Sequence, residues 1–329
     1  MKGYRFLSFF LLLLLASQPI FLGCSKTPEK KVPVIGFMQA LDDETIAQAQ
    51  KGFISALAAK GYSDSAGTVK IMVQNAQNDQ IILSQIADQF IAQKVTLIAA
   101  NTTLAMMMSV NKTKEIPIFV MVAPEPKLAE VMVKDASGKL VPPSNLKGVY
   151  ETLFYIDSTM HIVKQVFPKV KKIGTIFNTG EINSENSVRQ LRLVCQQMGI
   201  TLVEQAITTS NESQQAAQAL LKEKIELFFA LPDNLVFASF ESILKEATEK
   251  NVPVVTSEEG LVKRGAYLAY GADFYQWGYQ TGEEAALFLD SGMLEASKLT
   301  TVKVRRLSVN KETAQKLNLP VPAEATIVP

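Results

Sequence analysis

The chain has 329 residues, 33 basic and 32 acidic side chains and a formal charge of +1 at neutral pH, with one histidine and two cysteines. Neither sign gathers into a long block in the body of the chain, which argues against a phosphate-binding cationic face and so against nucleic acid as a partner. A single histidine is too little for a histidine-rich metal centre or a histidine-dependent hydrolase, and neither a metal nor a cofactor is expected.

In chain order, Lys2 and Arg5 precede the apolar run 6–16, and Phe21-Leu22-Gly23-Cys24 then opens into a polar stretch that ends at Lys31. The run is shorter than the about 20 apolar residues that cross a bilayer, so it predicts a cleavable export signal over 1–23. A small residue directly before a lone cysteine resembles the lipobox of bacterial lipoproteins. That resemblance implies that Cys24 heads the mature chain, carries lipid on its sulfur and holds the protein to a membrane through a tether over 24–31. An ordinary secretory signal with an incidental cysteine is the alternative. The other cysteine, Cys195, shares a helical face with Leu191, Val194 and Met198 and reads as core rather than as a reactive thiol.

From residue 32 on, short β-branched runs alternate with segments of helical period, the pattern of parallel sheets flanked by helices. A buried strand over 34–38 leads to a helix that Asp42, Asp43 or Glu44 can cap, with Ile46, Phe53, Ile54 and Leu57 on its apolar face and Gly61 at its end. A strand over 69–73, a helix marked by Ile82, Ile86 and Phe90, a strand over 95–99, a helix from Thr102 and a strand over 116–120 complete a first series. Residues 127–145, with Gly138 and Pro142-Pro143, are the least periodic stretch and read as a surface excursion.

The alternation restarts after Tyr150, with helices over 160–167, around Cys195, over 214–221 and from Leu235, and strands over 173–177, 201–203, 227–230 and 252–255. A last helix over 274–289 and a strand over 301–309 lack a series of their own. We therefore expect two similar Rossmann-like α/β lobes, one formed by 32–150 with 273–329 and the other by 151–272. They would be joined by a multi-strand hinge crossed near Tyr150, Tyr270 and Leu307, which suits closure around a ligand.

In open parallel sheets, ligands sit beyond the carboxyl ends of the strands. The loops there include Gln39-Ala40-Leu41-Asp42, Asn101-Thr102-Thr103, Pro232-Asp233-Asn234 and Ser257-Glu258-Glu259; they are rich in amides, hydroxyls and carboxylates and hold no lysine, arginine or histidine. An α-amino acid fits that chemistry. Its carboxylate can take N–H and O–H donors at a helix start, while its ammonium meets an anion such as Asp233 or Glu258. For any one loop the plain alternative is an N-cap by Thr102, Ser184 or Asp233, worth about 1 kcal/mol. Phe37, Tyr150, Phe177, Phe237, Tyr270 and Phe274 lie near the loop ends and offer walls for an aromatic ligand, whereas Met106-Met107-Met108 and Trp277 read as packing.

Four stretches resemble a group of bacterial ABC-transporter substrate-binding lipoproteins associated with tryptophan, tyrosine or phenylalanine uptake. They are Gln74-Asn75-Ala76-Gln77-Asn78-Asp79, Asn178-Thr179-Gly180-Glu181-Ile182-Asn183-Ser184, Pro232-Asp233-Asn234, and Arg264-Gly265-Ala266 through Gly278-Tyr279-Gln280-Thr281-Gly282. The resemblance implies the two-lobed type I periplasmic-binding-protein fold. It also implies an exported, lipid-anchored receptor, expected to be monomeric, that hands a small amino acid to a permease with ATPase subunits on separate chains and performs no reaction. Carried over residue by residue, Asn183 and Ser184 contact the amino-acid head group, and Asp233 and Asn234 match an Asp-Asn loop. Thr102 and Thr103 match a hydroxyl-bearing helix start, and Glu258 stands where an aspartate is common. Ala123-Pro124-Glu125-Pro126 departs from the usual Thr-Asp-Pro. With Gln39 and Tyr150 at loop ends, these are the candidate ligand-binding residues.

Two other readings keep the same residues. One is a surface lipoprotein that senses its ligand for signalling. The other is a carboxylate-dependent enzyme that pairs Asp233 with Glu181 or Glu258 as acid and base, though nothing in their spacing enforces the pair. The chain has no phosphate loop ending in Gly-Lys-Ser or Gly-Lys-Thr, so it is not itself an ATPase motor.

Overall fold

In the first lobe four strands, β1 (Val34–Gln39), β2 (Lys70–Asn75), β3 (Leu97–Asn101) and β4 (Ile118–Met121), alternate with helices α1 (Glu44–Ala59), α2 (Gln80–Ala92) and α3 (Thr103–Lys112). The computed structural model describes residues 31–328, so the predicted export signal and Cys24 lie outside the described residues. β1, β3 and β4 are buried almost throughout because helices cover both faces of the sheet, which is why they read as apolar runs rather than alternating ones. Within the predicted excursion, β5 (Val133–Lys134) and β6 (Leu140–Val141) make a small antiparallel ribbon, and β7 (Leu146–Tyr150) then re-enters the sheet beside β4.

The second lobe runs through α4 (Phe154–Val166), β8 (Lys172–Asn178), α5 (Ile182–Met198), β9 (Thr201–Ile207), α6 (Ser213–Lys222) and β10 (Leu227–Ala230). It continues with α7 (Asn234–Ala238), α8 (Phe240–Glu249), β11 (Val254–Thr256), α9 (Glu259–Lys263) and β12 (Leu268–Ala272). The single helix expected from Leu235 is two short ones, because the Ser239 hydroxyl sits at the break and donates to the Leu235 carbonyl at 2.6 Å. Cys195 is buried on α5, as its helical face predicts, and burial pushes its thiol up to about 12. The chain ends with α10 (Phe274–Ser291), β13 (Leu299–Thr301), β14 (Arg305–Asn310), α11 (Lys311–Lys316) and β15 (Thr326–Val328).

The first sheet has six strands in the order β13-β7-β4-β3-β1-β2, all parallel. The second has seven, β15-β14-β12-β11-β10-β8-β9, parallel except where β14 runs against β12. The expectation that 273–329 returns whole to the first lobe is therefore corrected. α10 and β13 do return, but β14 and β15 join the second sheet, and the one strand expected over 301–309 is two strands in different sheets. Alternation along a strand shows which side chains share a face; it does not show which edge the strand will take.

Three segments cross between the lobes: after Tyr150, at Asp273 and at 302–304. They are tied directly to one another. Val302 N–H donates to the Tyr150 carbonyl at 2.9 Å, and Asp273 N–H to the Val304 carbonyl at 3.1 Å. Successive side chains on a strand point to opposite faces, and Arg305 and Arg306 use this. Arg305 grips both carboxylate oxygens of Glu151 at 3.0 and 2.5 Å, on the first crossing. Arg306 pairs with Asp273 on the second at 2.7 Å.

The first lobe is closed by α10 lying against α1 at glycine contacts. A Cβ added at Gly52 would lie 1.9 Å from the Tyr275 carbonyl oxygen, and one at Gly278 would lie 1.8 Å from that of Ala49. The obstacle is helix backbone, which cannot swing aside. Gly278→Ala should force the helices apart and cost roughly 3 kcal/mol. Urea unfolding checks this; a loss under about 1 kcal/mol would mean that the two helices separate freely.

Candidate ligand-binding site

The carboxyl ends of both sheets frame one cavity, about 580 Å³ of space when the open solvent at its mouth is included. The first lobe contributes Ile46 from α1, Thr102 and Thr103 from the start of α3, and Val122, Ala123 and Pro124 after β4. The second contributes Glu181 and Asn183 at the start of α5, Pro232, Asn234 and Phe237 around α7, and Ser257 and Glu258 before α9. The first crossing supplies Glu151, Thr152 and Leu153, the end of β12 Ala272, and the first turn of α10 Phe274 and Trp277. None of the lining residues is a lysine, arginine or histidine.

Three buried side-chain atoms on this lining have no hydrogen-bond partner: Thr102 Oγ1, Asn234 Nδ2 and Glu258 Oε2. A buried polar atom left unpaired costs about 1–3 kcal/mol, so native structures keep few of them. They come from both lobes and include a donor and an acceptor. Thr102 also holds φ at +96°, a region that β-branched residues avoid, and its side chain makes no cap to α3. The first-turn N–H groups of α3 therefore start at the cavity without a side-chain acceptor from their own N-cap.

Three carboxylates face the cavity. Glu151 is held by Arg305, yet burial still lifts it above the ordinary carboxylate range. Glu181 is raised well above that range, first by burial and then by Asp233, and its Oε2 accepts the Asn234 N–H at 3.1 Å. Glu258 is pushed up to about 8, mainly by burial and further by the negative charge of Glu151 and Asp43, while the Ser257 hydroxyl donating at 2.7 Å opposes the shift. Apolar walls stand beside them. Phe274 and Trp277 meet edge to face at 5.7 Å, and the Trp277 indole N–H donates to the Val149 carbonyl at 2.8 Å, which fixes the ring.

Of the residues expected from the sequence, Thr102, Thr103, Asn183, Asn234 and Glu258 line the cavity. Asp233 and Ser184 do not. Asp233 caps α7 through Oδ1, which accepts from Leu235 and Val236 N–H, and its Oδ2 accepts from Asn178 N–H and from the Ser184 hydroxyl at 2.5 Å. Both its oxygens are engaged, so Asp233 is corrected from ammonium partner to a clamp that holds the loops after β8 and β10 together. Ser184 shares that clamp from inside α5 and is no N-cap. Gln39 is buried against Gln50, its amide donating at 3.0 Å, and Tyr150 ends β7 without reaching the cavity; Glu125 also lies off the lining. Glu151 and Trp277 were missed as lining residues. The signal for Glu151 was the arginine pair Arg305-Arg306 far along the chain in β14; Trp277 both packs and lines, two roles that periodicity cannot separate.

A family profile described as ABC transporter substrate binding protein matches residues 34–328. The chain belongs to this family. A tyrosine-binding protein of Clostridioides difficile is 36% identical over 294 residues, covering 89% of this chain and 83% of that one. Among solved structures, a conserved domain protein of Vibrio cholerae superposes with a TM-score of 0.82 at 28% identity, over 91% of this chain and 100% of that one. A Streptococcus pneumoniae protein in complex with L-Trp gives 0.80 at 23% identity, over 90% and 99% of the two chains. The ligand-free, open structure of a Clostridium difficile substrate-binding protein with adhesive properties gives 0.67 at 31% identity, over 90% and 99%. As a member of this family the chain is a substrate-binding receptor, not an enzyme, with the type I periplasmic-binding-protein fold.

In this receptor Glu258 sets a pH dependence. Its folded value lies above that of the unfolded chain, so between the two the folded state holds a proton the unfolded state releases, and stability falls as pH rises through that window. Glu258→Gln should make the ligand-free unfolding midpoint less steep from about pH 5 to about pH 8, and place it above wild type at the upper end. An unchanged slope would mean that Glu258 ionises in the fold without cost.

Proposed function

We propose that this protein is the extracytoplasmic solute receptor of an ABC importer and that its ligand is an aromatic amino acid, tryptophan, tyrosine or phenylalanine. The observation that carries the reading is the set of buried, unpaired groups from both lobes: Thr102 Oγ1, Asn234 Nδ2 and Glu258 Oε2. An α-carboxylate supplies acceptors for the Thr102 and Thr103 hydroxyls, the Asn234 amide and the open first turn of α3. An α-ammonium stabilises the ionised form of Glu258 against its burial and supplies the donor that the carboxylate then needs. The ring then lies among Ile46, Phe237, Phe274 and Trp277, where stacking adds about 0.5–1.5 kcal/mol beyond area burial. The names of two relatives, one a tyrosine-binding protein and one crystallised with L-Trp, support the same ligand class.

The receptor works by differential affinity. Contacts from both lobes stabilise the closed state over the open one, and moving a 1:99 equilibrium to 99:1 takes about 5.5 kcal/mol of such preference. The closed complex is then delivered to a permease whose ATPase lies on other chains. No helix among the described residues is long and apolar enough to cross a membrane. We assign membrane retention to lipid on Cys24, in a protein that acts as a monomer.

Thermal unfolding of protein stripped of carried ligand, run against all amino acids, tests the ligand. A ligand at a hundred times its dissociation constant adds about 2.7 kcal/mol, so tryptophan, tyrosine or phenylalanine should raise the midpoint selectively, and Thr102→Val should weaken that ligand about tenfold or more. A flat panel would refute the amino-acid assignment. Cys24→Ser should move the protein from the membrane fraction to the soluble one; retention on membranes would sink the lipid anchor.

A further inference from the structure

We propose that Arg264 and Gly260, which lie outside the ligand cavity, set the affinity of this receptor through a latch between the lobes. The proposal rests on the reading of the cleft as a ligand site. Arg264 follows α9 in the second lobe, where its side chain is already fixed. Its Nε and Nη2 donate to the two carboxylate oxygens of Glu241 at 2.7 and 2.9 Å, Nη2 also donates to the Phe237 carbonyl at 2.8 Å, and the guanidinium lies 5.2 Å from the centre of the Phe240 ring. The remaining nitrogen, Nη1, reaches into the first lobe and donates to Asp43 Oδ2 at 2.9 Å.

Asp43 is equally fixed. Its Oδ1 caps α1 by accepting from Thr45 and Ile46 N–H at 2.8 and 3.1 Å, which leaves Oδ2 for the arginine. The side chains are 19% and 6% exposed, so the pair is largely out of water, where a preformed, charge-assisted bond is worth more than at an open surface. Neither partner needs to be ordered when the lobes meet, so most of the attraction remains available to closure. Ile46, whose N–H Asp43 holds, is itself a wall of the cavity, which connects the latch to the ligand.

Beside this ion pair the lobes touch at Gly260. A Cβ there would lie 2.2 Å from Thr45 Oγ1 and 2.3 Å from Thr45 Cγ2, across the cleft. The backbone of Gly260 is not in the left-handed region, so no local conformation demands glycine. Alanine would favour α9 slightly and obstruct only the approach of the first lobe. A residue whose replacement helps its own helix while hindering closure separates latch from fold.

The test compares wild type with Asp43→Asn, Arg264→Gln, Gly260→Ala and the double variant Asp43→Asn with Arg264→Gln. Affinity for tyrosine and tryptophan is read by calorimetry, lobe closure by small-angle scattering, and ligand-free stability by thermal unfolding. Asparagine still caps α1, so Asp43→Asn should weaken binding about tenfold with little change in the ligand-free midpoint. The double variant should be no weaker than Arg264→Gln alone, the non-additivity expected of one shared contact. Gly260→Ala, which changes no charge, should weaken binding by at least as much, with no loss of midpoint. Affinities of Asp43→Asn and Gly260→Ala both within about twofold of wild type would overturn the latch, a difference well below that expected of a coupled pair. If wild type binds neither amino acid, the ligand reading fails by itself. The latch is then decided by the same affinity comparison with the solute that mass spectrometry identifies in untreated protein, a tenfold loss in Asp43→Asn and Gly260→Ala supporting it and affinities equal to wild type overturning it.

Discussion

The architecture depends on how three crossing segments are held in one hinge. Arg305 and Arg306 stand on opposite faces of one strand, and each takes the carboxylate of a different crossing, Glu151 or Asp273. Glu151 is only 5% exposed, and a carboxylate so far from water is costly unless it is paired. The pairing fixes the base of the cleft, where the three crossing segments meet. Asp273 adds a second constraint, because its Oδ1 also caps α10 through Gln276 N–H at 3.0 Å. Hinge and long helix are thereby locked to the same residue.

Above that base, the cleft concentrates unfavourable electrostatics. Glu151, Glu181 and Glu258 are all raised by burial, and only Glu151 has an arginine. In the proposed reading, stability is given up where the ligand restores it: a cation for Glu258, an anion for the Thr102 hydroxyl and the Asn234 amide. A site built on unpaired polar groups rejects molecules that lack the complementary atoms more strongly than an apolar pocket rejects a wrong shape. The loops behind it show the opposite condition. Around Asp233 each carboxylate oxygen is engaged, so that group gives rigidity instead of recognition.

The same contrast explains which cavity-lining residues were legible. Thr102, Thr103, Asn183, Asn234 and Glu258 could be named from loop position, because loops at the carboxyl ends of parallel strands must converge. Asp233 and Ser184 share those loops and the same polar character. What separates them from Asn234 is only the direction of the side chain, and an Asp at a helix start has two uses, cap or ligand contact, that look identical in a sequence.

Periodicity and composition by themselves determined two α/β series, the parallel strands, most helix positions and the carboxyl-end loops, because local backbone preference and apolar spacing act over a few residues. Tertiary structure alone decided where 302–328 pairs, since an alternating strand is compatible with either sheet edge. It also decided that Glu151 faces the ligand cavity, that Trp277 is both core and wall, and that Asp43 meets Arg264 across the cleft. Each of these depends on contacts between residues far apart in the chain, where burial, charge pairing and close backbone approach are settled only when both lobes are folded.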